Sequence, residues 1–75
     1  MRKWLKDLRE ARDLTMKDMG HILSISESYY CSIERGNRQK DMNIGLAADI
    51  AAVFDISMEK VAQLEAEWKN QATPN

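Results

Sequence analysis

Residues 14–38, LTMKDMGHILSISESYYCSIERGNR, decide the fold. Thr15 has the side chain of a helix N-cap, and Asp18, three residues on, sits where a capping partner belongs. Ser26 is a second N-cap, and Glu27 behind it suits the positive first turn of a helix. Gly36 stops that helix where a left-handed backbone suits glycine. The spacing therefore predicts two short helices, residues 16–23 and 27–35, joined by a tight turn. Such a pair can lay its second helix in the major groove of DNA.

Outward from this stretch the pattern stays helical, with little glycine or proline and no alternating β-branched runs. A first helix is expected over residues 2–12, with Leu5, Leu8 and Ala11 or Arg12 on one stripe. In the second, Met19, Ile22 and Leu23 are expected inward. Residues 37–42, NRQKDM, read as a polar loop. Asn43 caps a fourth helix, 44–54, with the stripe Ile44, Ala47, Ala48, Ile50, Ala51 and Phe54; its alanines allow close packing. Ser57 caps a fifth, 58–70, with Met58, Val61, Leu64 and Trp68 on one face and Glu59 and Glu67 on the other. Gly20, inside the second helix, costs about 1 kcal/mol against alanine, so a close backbone approach by the third helix is expected there. The expectation is an all-α, compact five-helix domain over residues 1–70, with a loose tail over 71–75.

Seventy-five residues make one small domain with a thin core. The single cysteine, Cys31, excludes an intrachain disulfide, and one histidine with one cysteine cannot build a four-ligand zinc site. Regular helix packing, with or without oligomerisation, is left as the source of stability. No metal or cofactor is expected, and no nucleophile–base or phosphate-loop spacing suggests an enzyme. No apolar run approaches 18 residues, so no membrane span is expected, and a lone thiol fits the cytoplasm. Net charge is only −1, but it is unevenly spread. Residues 1–40 hold nine Lys/Arg against six Asp/Glu, a net of +3, and residues 41–75 hold two against six, a net of −4. A basic half can meet phosphates while an acidic half stays away from them.

The run Leu5-x-x-Leu8-Arg9-x-x-Arg12-x-Leu14-Thr15, then Met19-Gly20, Ile25-Ser26 and Ile33-Glu34-Arg35-Gly36-Asn37-Arg38, resembles the xenobiotic-response-element/Cro–repressor family of phage-repressor-like helix-turn-helix domains. The resemblance covers about residues 3–64. It implies a lambda-repressor-like fold and a structural ion pair between Arg9 and Glu34, a guanidinium holding a carboxylate in two bonds. It implies base contacts from Glu27, Ser28, Tyr29 and Ser32, and a core position for Tyr30 with its hydroxyl near the surface. Glu27 can accept from cytosine N4, whereas Ser28 and Ser32 are short and permissive. Tyr29 suits the sugar-phosphate edge.

Phosphate contacts are expected from Lys17, Arg35, Asn37, Arg38 and Lys40, helped by free N–H groups at the starts of the second and third helices. The implied partner is double-stranded DNA with a pseudo-palindromic operator, bound as a homodimer. Trp68 extends the fifth helix's stripe beyond what a minimal domain needs. It either meets the same helix of a second copy, the expected homodimer contact through helix 58–70, or folds back on Trp4 or Leu5. Three features depart from the family: Met16 stands where glutamine is usual, Ser24 where glycine is usual, and the net charge is acidic. They imply modest affinity per subunit. The reading is thus a sequence-specific regulator, a repressor of phage or mobile-element type. The alternatives are an antitoxin or adaptor-type protein-interaction module using the same fold, or a piece of a longer regulator. Cys31 reads as a small reader-helix residue and His21 as a surface residue.

Overall fold

The computed structural model describes residues 1–72. The chain forms α1 (Lys3–Ala11), α2 (Met16–Leu23), α3 (Glu27–Arg35), α4 (Ile44–Phe54) and α5 (Met58–Ala72), with no strand among the described residues. The helix ends follow local hydrogen-bonding chemistry. Thr15 Oγ1 accepts from Asp18 N at 3.0 Å and Asp18 Oδ2 accepts from Thr15 N at 2.9 Å, a complete capping box. That backbone bond, then the Thr15 hydroxyl, holds the exposed Asp18 carboxyl below its ordinary pKa. Ser26, Asn43 and Ser57 cap α3, α4 and α5 through the amides of Tyr29, Leu46 and Lys60. Gly36 closes α3 at φ 85°.

Helix α5 continues past residue 70 through Ala72, two residues into the segment expected as a loose tail. The remainder of that tail, 73–75, lies outside the described residues.

Leu5, Met19, Leu23, Tyr30, Ile33, Ile50 and Phe54 form the main core, where α1 to α4 converge. Ala47, Ala51 and Val61 make a second cluster between α4 and α5. Four stripe expectations need correction. The inward face of α2 is Met16, Met19, Gly20 and Leu23, spaced i, i+3, i+4 and i+7. Ile22 falls on its other side, 46% exposed. The inward face of α4 has the same spacing in Ala47, Ile50, Ala51 and Phe54. Ala48 therefore points to solvent, and Ile44, one turn before the packed segment, is 79% exposed. In α5, Met58 is likewise exposed, and Glu65 takes the buried place beside Val61. On α1 the buried stripe is Leu5 and Arg9. Ala11 is exposed, while Arg12 reaches over to donate to the Phe54 carbonyl at 2.9 Å, closing the end of α4.

The α2–α3 crossing depends on one missing side chain and one strained backbone. A Cβ on Gly20 would lie 2.9 Å from the Ile25 carbonyl oxygen and 3.1 Å from Glu27 N, both backbone atoms that cannot rotate away. Ser24 takes the left-handed conformation of the turn, φ 59° and ψ 41°, so serine accepts the strain that glycine would avoid. Opposite outcomes follow for two substitutions. Gly20→Ala should destabilise despite its better helix propensity, because overpacking at about 1–3 kcal/mol outweighs a gain of about 1 kcal/mol. Ser24→Gly should stabilise by roughly 0.5–1 kcal/mol. Urea unfolding of the two variants reads both signs.

Candidate nucleic-acid interface

Helix α3 is held from behind by an arginine. Arg9 Nε donates to Glu34 Oε2 at 2.9 Å and Arg9 Nη2 to Glu34 Oε1 at 3.0 Å, the two-bond fork that matches guanidinium to carboxylate. Arg9 Nη1 also donates to the Leu14 carbonyl at 2.8 Å. One guanidinium thus ties α1, the α1–α2 turn and α3 together. Glu34 is fully buried and Arg9 nearly so, and the hydrogen bond to Glu34 raises the Arg9 pKa further.

Tyr30 packs beside this pair, fully buried. Its hydroxyl is enclosed and makes no hydrogen bond among the described residues, so it does not reach the surface as expected. Burial, followed by the neighbouring Glu34 carboxylate, pushes its pKa far above the usual phenol value.

With one face of α3 spent on the core, the other faces solvent. Met16, Glu27, Ser28, Cys31, Ser32 and Arg35 line one shallow concavity between the start of α2 and α3. The structure brings together three of the four expected base-contact residues, Glu27, Ser28 and Ser32, with Arg35 beside them. Ser32 Oγ donates to the Ser28 carbonyl at 3.1 Å. Tyr29 does not line this concavity. It is half-buried against the core, and its hydroxyl accepts from Gln39 Nε2 at 2.8 Å.

Lys17 is exposed on the outer surface of α2, beside Asp18, His21 and Ile22. Asn37, Arg38 and Lys40 are exposed on the segment after α3. Exposed cations thus stand on α2 and on the segment that follows α3.

A second buried arginine escaped the sequence reading. Arg2 is fully buried. Its Nε donates to Glu65 Oε2 at 2.7 Å and its Nη2 to Glu65 Oε1 at 3.0 Å. Its Nη1 donates to the carbonyls of Ile33 at 2.6 Å and Arg38 at 3.1 Å, and its Nη2 also donates to the Gln39 carbonyl. The Trp68 ring covers it, 4.4 Å from the guanidinium carbon to the ring centroid, and Trp4 Nε1 donates to the same Glu65 carboxylate at 3.0 Å.

Trp68 is accordingly engaged within its own chain, against Arg2 and against Gly36, where a Cβ would stand 2.8 Å from the indole. The signal available in sequence was Glu65 itself, a carboxylate four residues from Val61 and three from Trp68, in the middle of an apolar stripe. So placed, it requires a buried cation.

A family model described as Helix-turn-helix matches residues 5–61. The chain belongs to this family, the Cro/C1-type helix-turn-helix domains, and the all-helical fold and the α2–α3 pair are its DNA-binding architecture. It is a family of DNA-binding regulators rather than of enzymes. No curated protein and no solved structure gives a significant match. No described helix is long and apolar enough to cross a membrane.

The Arg9–Glu34 pair should show a non-additive stability pattern. Arg9→Met or Glu34→Leu alone strands a buried charge and should cost roughly 3–5 kcal/mol, a large part of a small domain's stability. The double variant should recover most of that loss. Equilibrium unfolding of the cycle measures it; equal and additive losses would contradict a coupled buried pair.

Proposed function

We propose that the chain is a sequence-specific transcriptional regulator, a cytoplasmic repressor, that binds a pseudo-palindromic site in double-stranded DNA as a homodimer with α3 in the major groove. The observation that carries this reading is the outward concavity holding Glu27, Ser28, Ser32 and Arg35 together on a helix-turn-helix frame. Glu27 reads a cytosine by accepting from N4, while its charge repels misplaced phosphates. Ser28 and Ser32 discriminate weakly. Tyr29 acts from the flank: its hydroxyl oxygen accepts from Gln39, which leaves its own proton for a phosphate oxygen. Lys17, Arg35, Asn37, Arg38 and Lys40 fix the register by phosphate contact.

The homodimer uses helix 58–70, but with Trp68 engaged at Arg2 its apolar contact falls to Met58, Ala62 and Ala66, with Ile44 of α4. These line a groove between α4 and α5. Met16 contributes no polar contact in the concavity, and a second subunit makes up the affinity that a sparse reading face lacks.

Selection from a randomised duplex pool, followed by titration at two salt concentrations, tests the reading. A sequence-dependent complex with a steep salt slope is expected. No sequence-dependent binding at about 50 mM salt would overturn it. Within that complex, Glu27→Ala should relax preference at one base pair by about 1–3 kcal/mol while the melting temperature stays nearly unchanged. An equal loss on all sequences would show that Glu27 reads no base.

A further inference from the structure

The segment after α3 carries three of the proposed phosphate contacts and has no regular secondary structure, yet it is held at both ends. On the inner side all five N–H donors of Arg2 are engaged, two on the Glu65 carboxylate and three on the carbonyls of Ile33, Arg38 and Gln39. The Arg2 amide also donates to the Glu34 carbonyl at 2.7 Å. On the outer side Gln39 bridges two helices: its Nε2 donates to Tyr29 Oη on α3, and its Oε1 accepts from Asn43 N, at 3.1 Å, at the start of α4. Its backbone is held at φ 55°, a left-handed conformation unusual for glutamine. The Arg38 and Lys40 side chains stay exposed while the backbone beneath them is fastened.

We propose that Arg2, with Glu65 and Gln39, is a positioning clamp for DNA binding that presets residues 37–40 so that Arg38 and Lys40 meet phosphates without first being ordered. The inference rests on the DNA reading above and adds to it the residues that prepare the phosphate contact. Five bonds on one guanidinium exceed what an ion pair needs: one fixes it to the Ile33 carbonyl in α3, and two go to the Arg38 and Gln39 carbonyls, on backbone that belongs to no helix or sheet. A flexible segment loses conformational entropy on binding, whereas a clamped one has lost it on folding. The clamp touches no base, so its contribution is to affinity and not to base preference.

A thermodynamic cycle tests this on the best duplex recovered from the randomised pool. In the wild-type frame, Arg38→Gln/Lys40→Gln should weaken binding roughly tenfold and make the log–log salt slope shallower by about two. Two clamp variants are then compared. Arg2→Met/Glu65→Leu removes both buried charges together, and Gln39→Gly releases the outer tether, leaves no buried charge and fits the left-handed backbone. Each should weaken binding on its own and keep the order of base preferences. In each, adding Arg38→Gln/Lys40→Gln should cost less than about twofold, because contacts no longer preset contribute little.

Additive losses, with the full tenfold cost in both frames, would reduce the clamp to a stability element and overturn the proposal. If Arg2→Met/Glu65→Leu fails to melt cooperatively, the Gln39→Gly cycle decides alone. A wild-type protein that selects no duplex refutes the DNA reading itself, whereas a wild-type complex with an additive cycle refutes only the clamp.

Discussion

Both ends of α1 anchor to α3 through a buried guanidinium, and the placement of α3 depends on those two anchors. Arg9 takes the Glu34 carboxylate and the Leu14 carbonyl. Arg2 takes the Ile33 carbonyl at the end of α3 and links it to Glu65 on α5. A chain of this size has too few apolar side chains to lock five helices by packing alone. Buried pairs add little net stability over apolar substitutes, but their directional bonds admit one register. With α3 fixed along its inner face, its outer face is presented at a set angle.

The outer face of α3 carries few hydrogen-bonding side chains, and the segment after it is fastened by Arg2 and Gln39. Glu27 is its one charged hydrogen-bond acceptor, and the two serines beside it are short. Exposed polar and basic residues stand on the neighbouring segments: Lys17 on α2, Arg35 at the end of α3, and Asn37, Arg38 and Lys40 after it. Acidic residues dominate after residue 40, yet two of them are spent internally or in pairs. Glu65 faces Arg2, and Asp41 pairs with Lys69 at 2.6 Å, which holds the Asp41 pKa below its ordinary value. Each of these pairs also takes up one cation, so they leave the net charge of the remaining residues at −1.

Much of the fold was legible because helix ends are local. Thr15 with Asp18, Ser26, Asn43, Ser57 and Gly36 each act within four residues, so their positions delimit the helices directly. Gly20 was legible for a different reason: a helix-weakening residue implies a compensating contact, found at Ile25 and Glu27. Stripe assignment was less reliable. In α2 and α4 several apolar residues compete for one face, and only the partner helix selects which i, i+3, i+4, i+7 set turns inward. Ile22 and Ile44 lost that competition. Trp68 allowed both an intermolecular and an intramolecular reading, and the cation that settles it lies 66 residues away in the chain.

Five helices, the caps of α2 to α5, the turn and the helix that faces outward are readable in the chain itself, since each depends on neighbours within a turn or two. Tertiary structure alone decided the use of Arg2, Glu65, Gln39 and Trp68. Their roles come from burial and long-range hydrogen bonds, and a charged residue near a terminus looks the same in sequence whether it ends in water or beneath an indole. Only once α1, α3 and α5 converge does the guanidinium lose its water, and it must then find five acceptors in the protein.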